Sequence, residues 1–461
     1  MLLPALLLSG CATGALPAPT DPGIAVPDRL PSQPADAAAP TPLDRWWARF
    51  GEPPLDALVA MLASDNPDLA AARARYEAAR KSAIAERAGL FPQLSASASS
   101  NRTVAGDTQP GSGRSIYQAE LSASWEIDLF GGLRASARAA DAEARASAAD
   151  YGDQRRALIG SLARSYVDER LAAARIALTE DLLVSQRQTR QIAAWRVQAG
   201  LATGLDNEQA RQLVLGTEAQ LPALAADRRS AANRLAVLSG RTPGAIDELI
   251  GAGTGIPAPL DVAPLTPVEI VRRRPDLRAA EANLAAALAQ VGVARAALLP
   301  RLSLSGSLGG SGSGLGKLAD AVGGSIGALI DQVLFDGGRN RANLAAQKAR
   351  AEAALQDYRS ALLAALEDVD NAYAALAAAR ERLALRRGVE TATGNAARIL
   401  RQQYAAGVVD FRDLLDAEQN LVTASDQRVQ AEADVTRAAI TLIQALGGDD
   451  PLASPKPEQP T

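Results

Sequence analysis

The chain is written twice. Asn66-Pro67-Asp68-Leu69 returns as Arg274-Pro275-Asp276-Leu277, and Phe91-Pro92-Gln93-Leu94 returns as Leu299-Pro300-Arg301-Leu302, each 208 residues later. Leu129-Phe130-Gly131-Gly132 reappears as Leu334-Phe335-Asp336-Gly337-Gly338, Ala199-Gly200 as Ala406-Gly407, and Leu238-Ser239-Gly240 as Leu446-Gly447-Gly448. Five landmarks in one order, spaced 205 to 208 residues apart, mark two copies of a single structural unit. The repeats cover 45–250 and 251–448, with a Pro- and Gly-rich stretch over 240–267 between their bodies.

Each copy follows the same plan. Leu55, Leu58, Leu62, Leu69 and Tyr76, like Leu277, Leu284, Leu288, Val291 and Leu298, fall at helical spacing. Pro92 and Pro300 close these helices, because proline lacks an N–H and pushes its predecessor out of the α region. Two strands then follow in each copy, expected at 92–105 and 115–130 and at 300–309 and 324–335, around Gly-rich loops at 106–114 and 309–324. The clearest is 117–129, where Tyr117, Ala119, Leu121, Ala123, Trp125, Ile127 and Leu129 alternate with Gln118, Glu120, Ser122, Ser124, Glu126 and Asp128. Such strict period two gives one apolar and one polar face. A soluble antiparallel sheet alternates in the same way, but runs of about 10 residues also suffice to cross a bilayer when tilted. After each Gly-Gly pair, 133–198 and 339–404 read as proline-free helices of roughly 100 Å. Shorter helices return after turns at Gly200 and Gly407.

Composition narrows the choices further. About a fifth of the residues are alanine and only 3% are aromatic, which suits long helices packed along thin seams rather than one large globular core. No run reaches the roughly 18 apolar residues of a membrane-crossing helix, so any crossing must use strands. Four strands cannot close a barrel, and open edges in lipid leave backbone groups unpaired. Three copies related by a cyclic axis would supply about 12 strands and close the ring. Histidine is absent, there is no phosphate-binding Gly-rich loop before a helix, and no Cys cluster for a metal. The expectation is therefore a non-enzyme without cofactor or metal. A net charge of −4 gives no reason to expect a nucleic-acid partner.

The N-terminus adds a location. Met1 to Gly10 is apolar and ends at Cys11, the only cysteine. Leu8-Ser9-Gly10-Cys11 resembles a bacterial lipobox, with 1–10 as signal peptide and Cys11 as the lipidated residue. Residues 11–44, rich in Pro and Ala, read as a flexible tether, and 449–461 as a disordered tail.

With these pieces together, the chain resembles TolC-type outer-membrane factors of the NodT lipoprotein branch. The resemblance is carried by the lipobox, Trp46-Trp47 with Phe50, Arg272 to Leu284 (RRRPDLRAAEANL), Phe335-Asp336-Gly337-Gly338 and the duplicated plan. It implies a mainly α fold with a membrane β-barrel: a homotrimer whose 12-stranded barrel sits in outer-membrane lipid above a periplasmic α-helical barrel. It further implies an exit duct of a tripartite efflux system, passing small molecules from an inner-membrane pump and a periplasmic adaptor to the exterior. The family's selectivity ring maps onto Asp413 and Asp416, spaced i, i+3 and so on one helix face. The family pattern has a basic residue where this chain has Val409. An N-cap reading of the same acids, Asp410 with Asp413 three residues on, stays open, and Asp206 with Gln209 in the first repeat reads as a cap. Gly200 and Gly407 are expected to permit the hairpin turns, with the adaptor docking beside them. The alternative is a periplasmic coiled-coil structural or adaptor lipoprotein, which would have no use for lipid-facing strands.

The lipobox makes a direct prediction. Metabolic labelling with radioactive palmitate should mark the wild type and leave Cys11→Ser unlabelled. A labelled serine variant would remove Cys11 as the attachment point.

Overall fold

The computed structural model describes residues 24–34, 43–103, 114–262, 265–318 and 320–449; Cys11 and the segment beyond Asp449 lie outside them. The duplicated plan is realised element by element. The first repeat runs α1 (Pro53–Asp65), α2 (Pro67–Ala88), β1 (Gln93–Thr103), β2 (Arg114–Ile127), α3 (Gly132–Gln198), α4 (Gly204–Glu218) and α5 (Leu221–Leu238). A short α6 (Asp247–Ile250) follows. The second repeat runs α7 (Pro267–Arg273), α8 (Pro275–Ala296), β3 (Arg301–Gly312), β4 (Val322–Asp331), α9 (Arg339–Ala405) and α10 (Phe411–Ala445). Both long helices, α3 and α9, have 67 residues.

By internal contacts the chain forms two units. One comprises 75–148 and 278–360, and the other 25–74, 149–277 and 361 onward. The first holds an antiparallel sheet in the order β1-β2-β3-β4. Its ladder begins where the two prolines permit: Gln93 follows Pro92 and pairs with Ser124, and Arg301 follows Pro300 and pairs with Asp331. That limit corrects two strand ends read from sequence. β2 stops at Ile127 rather than 130, and β4 at Asp331 rather than 335, because the ladder has no partner past the donor-less proline. In the other direction β3 runs through Gly309 and Gly310 to Gly312, which composition alone marks as loop. Its pairing to Tyr117–Glu120 of β2 holds those glycines in the ladder.

In the second unit, Leu55, Leu58 and Leu62 of α1 are each fully buried, as are Tyr166, Leu235, Ile270 and Leu277. The matched Pro-Asp-Leu motifs have one geometric purpose. Asn66 and Arg274 are both extended, with φ/ψ of −70/122 and −67/120, as a residue before proline should be. Each side chain donates to a carbonyl at the end of its own repeat: Asn66 Nδ2 to Leu238 at 2.9 Å, and Arg274 Nη1 to Ala445 at 3.2 Å. Asn66 also caps α2, its Oδ1 accepting from the Leu69 N–H at 2.8 Å. Arg274 instead grips Asp276 through Nε and Nη2, at 3.0 and 2.6 Å, and reaches Asp368 at 3.1 Å. The Leu-Ser-Gly and Leu-Gly-Gly landmarks close α5 and α10 in the same way. Arg241 N–H bonds the Ala236 carbonyl and Gly448 N–H the Ile443 carbonyl, as in a Schellman cap. Gly240 has φ +70, and a Cβ there would lie 2.3 Å from the Asp65 carbonyl oxygen, so only glycine fits.

Two expectations need correction. The returning helix of the first repeat is broken at Ala219–Gln220, because Pro222 cannot donate inside a continuous helix, whereas α10 continues unbroken. Part of the proposed tether, 24–34, is packed rather than free. Leu30 is buried, Ser32 donates to Asp370 through its N–H at 2.8 Å and its hydroxyl at 3.1 Å, and Gln33 donates to the Leu265 carbonyl at 3.1 Å. Its prolines and alanines look flexible, but Leu30 has apolar area to hide.

The Arg274–Asp276 pair yields a stability prediction. Burial opposes ionisation of Asp276, but the Arg274 hydrogen bonds and charge outweigh it and hold its pKa below the usual carboxylate value. Its contribution is therefore complete above about pH 4, the unfolded value, and fades as pH falls through the lower folded value. Arg274→Ala should cost about 2–3 kcal/mol at neutral pH by stranding a half-buried carboxylate. The loss of unfolding midpoint relative to wild type should shrink toward pH 3, and a pH-independent difference would count against the pair.

Candidate functional site

The tips of the two helical hairpins carry the residues singled out from sequence. α3 and α9 both end in Schellman caps, with Gly200 at φ +72 and Gly407 at φ +77. The following N–H groups reach back, Leu201 to the Arg196 carbonyl at 2.8 Å and Val408 to Gln403 at 2.9 Å. A side-chain-bearing residue in this left-handed region costs about 1–2 kcal/mol, which explains the Ala-Gly landmark in both copies.

Ala193 of α3, Ala210 of α4, Tyr404 of α9, and Phe411 and Leu414 of α10 form one buried cluster. The Tyr404 and Phe411 rings meet edge to face at 5.3 Å. Arg196 lies over the Tyr404 ring at 4.6 Å and donates to the Tyr404 carbonyl, a cation at the end of a helix where the dipole favours it. One level away, Thr189 of α3 donates to buried Glu418 of α10 at 2.7 Å, and Arg401 of α9 pairs with the same carboxylate at 3.1 Å. Neither Arg196 nor Glu418 was legible in advance. Their partners in the other hairpin, Tyr404 for Arg196 and Thr189 for Glu418, lie more than 200 residues away and give no spacing signal.

At this point the duplicated tips diverge. Thr203, Asp206 and Gln209 of the first repeat correspond to Asp410, Asp413 and Asp416 of the second. Asp206 turns back to cap its helix, its Oδ2 accepting the Thr203 N–H at 3.1 Å. The equivalent Asp413 does not, and Asp410, although it is the N-cap residue, makes no side-chain cap bond. Phe411, Leu414, Ala417 and Glu418 face the core, while Asp413 and Asp416 are exposed. Neither carboxylate has a hydrogen-bond or ion-pair partner among the described residues. Two negative charges thus stand one helical turn apart on the solvent side of α10.

The sheet supplies the second feature. One face carries Leu121, Trp125, Leu302, Leu304, Leu308, Ile326 and Ile330, assembled by the register of all three ladders. Among the described residues nothing covers its outer strand, where Ile326 and Ile330 are 95% and 70% exposed, while Leu302 and Leu304 are half-buried. The opposite face is dominated by hydroxyls. Ser95, Ser122, Ser307 and Ser325 lie in one row across all four strands, with Oγ–Oγ contacts of 2.8 and 2.9 Å at its two ends. A soluble protein would bury such an apolar face in a core; left open as it is, it matches hydrocarbon. This wall between lipid and water, carried on paired long helices, is that of a TolC-like membrane channel subunit.

Comparison with known proteins gives the same class. The outer membrane efflux protein family model matches residues 58–241 and 266–448, one match for each repeat. The chain is 34% identical to the pyoverdine export outer membrane protein OpmQ of Pseudomonas putida, covering 98% of both chains. It is 33% identical to nodulation protein T of Rhizobium leguminosarum bv. trifolii, covering 97% of both. The solved outer-membrane channel OprN superposes with a TM-score of 0.80 at 34% identity, over 92% of this chain and 99% of that one. The chain belongs to the outer membrane efflux protein family, whose members are efflux channels rather than enzymes. The coiled-coil adaptor reading is set aside.

Removing the Arg196 contacts tests how the hairpins are joined. Arg196→Ala should loosen the tip by on the order of 1 kcal/mol. Amide exchange over residues 400–410 should then accelerate about five-fold while the sheet is unaffected. Unchanged exchange would show that the apolar cluster alone holds the hairpins.

Proposed function

We propose that this protein is the passive exit duct of a tripartite efflux system, and that Asp413 and Asp416 form the cation-selecting constriction at its periplasmic end. The observation that carries the constriction is the difference between equivalent positions: Asp206 is committed to capping, whereas Asp413 is exposed with no partner. A cap would have used the same geometry in both repeats. Three copies close the barrel, since β1 and β4 each leave one backbone edge unpaired, and threefold symmetry then gathers six carboxylates around one axis. A periplasmic adaptor docks beside the Gly200 and Gly407 turns and links the duct to an inner-membrane pump. Exposed Trp195, Leu201, Leu205 and Val408 at these turns support that docking. Lipidation at Cys11 adds a second attachment to the outer membrane.

Asn caps a helix about as well as Asp, so Asp413→Asn/Asp416→Asn separates charge from structure. In light scattering the detergent-extracted double variant and the wild type should both have a protein mass near three protomers. In planar bilayers the variant's cation preference should fall, and block by divalent or trivalent cations from the periplasmic side should weaken. Unchanged selectivity and block would return both acids to a helix-starting role.

A further inference from the structure

In the second unit, a cleft of about 330 Å³ opens between α3, α5 and the short α6. That volume is at the small end of ligand clefts, which run to about 300–1,000 Å³, and far exceeds the room one water needs. Glu169 of α3 lies at its floor, with a side chain only 1% exposed. Arg228 and Arg229 of α5 and Asp247 of α6 stand at the mouth, where 34%, 59% and 42% of their side chains are exposed. Ile176, Ala225, Ala232 and Ile250 supply the apolar wall.

The carboxylate at the floor is only half satisfied. Its Oε1 accepts from Arg228 Nε at 2.8 Å, but the buried Oε2 accepts no hydrogen bond among the described residues. Arg170 Nη1 stands 3.6 Å from it, beyond hydrogen-bond reach. The donors of Arg170 are committed elsewhere. Nε and Nη2 donate to the Tyr166 hydroxyl at 3.0 and 2.7 Å, Nη2 also to the Ile250 carbonyl at 2.9 Å, and Nη1 to the Gly253 carbonyl at 2.7 Å. The Tyr166 hydroxyl in turn donates to Glu52 at 2.8 Å. At the mouth Arg229 Nη1 pairs with Asp247 at 2.6 Å and Arg228 Nη2 donates to the Gly251 carbonyl at 3.1 Å. Arg228 Nη1 and Arg229 Nη2 donate to no described residue. A buried carboxylate oxygen without a donor is costly, and a donor entering the cleft relieves it. Arg170, Arg228 and Arg229 balance Glu52, Glu169 and Asp247, so a ligand of net charge would leave one charge uncompensated. A zwitterion does not: its ammonium supplies the donor that Oε2 lacks, and its carboxylate takes the guanidinium donors.

We propose that this cleft binds a free α-amino acid with an apolar side chain: its ammonium on Glu169 Oε2, its carboxylate on Arg228 and Arg229, and its side chain against Ile176 and Ile250. The site is separate from the exit duct and stands whether or not the Asp413 constriction does. Its test is equilibrium dialysis of the full-length, detergent-extracted protein against radiolabelled leucine. One leucine should bind per protomer with a Kd of about 1 mM or tighter. Glu169→Gln keeps the shape of the floor but removes its charge, and should weaken binding about ten-fold. Unchanged binding in that variant would overturn the assignment of the ammonium to Glu169. Ala225→Trp fills the cleft from an exposed position on α5, so it should abolish binding while circular dichroism and protein mass stay those of the wild type. Isoamylamine, which lacks the carboxylate, and isocaproate, which lacks the ammonium, should each compete about ten-fold more weakly than unlabelled leucine. Competition by either as well as by leucine would overturn the zwitterion. No saturable binding up to about 10 mM, or binding that survives Ala225→Trp, would overturn the site itself.

Discussion

Each repeat is held shut by one side chain placed before a proline. Asn66 and Arg274 are driven into extended backbone by Pro67 and Pro275 and so escape the helices on either side. Each side chain is then free to reach a carbonyl more than 170 residues away in sequence. The long helices leave and return between these points, so the closure sets where the returning helix must end. A buried donor with no partner costs about 1–3 kcal/mol, and both closures are buried. Asn66 spends its carbonyl oxygen on capping α2, whereas Arg274 spends its remaining donors on Asp276 and Asp368. The same geometry is thus stabilised by a neutral amide in one repeat and an ion cluster in the other.

Much of this was legible because the repeated landmarks are local devices. Ala-Gly, Ser-Gly and Gly-Gly end helices through left-handed caps, and X-Pro-Asp-Leu begins them. Each works within about six residues, so a sequence scan can see it. The alternation in β2 was equally plain, since every second residue reports its face. What escaped were features decided by distant partners. β2 and β4 ended early because Pro300 stands just before β3, the strand between them, and β3 ran on because its glycines had strand residues opposite. The docking of residues 24–34 depends on Asp370 and Leu265, which no local pattern indicates.

The candidate site shows the same division at finer scale. That Asp413 and Asp416 share a helix face follows from spacing alone. Whether Asp413 caps or faces solvent does not, because Asp206 stands at the equivalent position and caps. Thr203 and Asp410 share an extended backbone, with φ/ψ of −91/158 and −75/154, so the distinction lies in where the side chains of Asp206 and Asp413 turn. Duplication followed by divergence has left one tip whose acid serves the fold and another whose acids are available for charge.

Among the described residues the four-stranded sheet has two unpaired edges, and hydrocarbon tolerates none, each exposed amide or carbonyl costing several kcal/mol there. A single subunit is therefore a poor solute for the bilayer, while a closed ring is a good one. Insertion and stoichiometry become a single event: incomplete rings are rejected by the solvent itself, and the membrane acts as the inspector that counts subunits before admitting them. Below the concentration at which rings form, the chain should remain outside the bilayer, so its abundance at the membrane should rise more steeply than its synthesis.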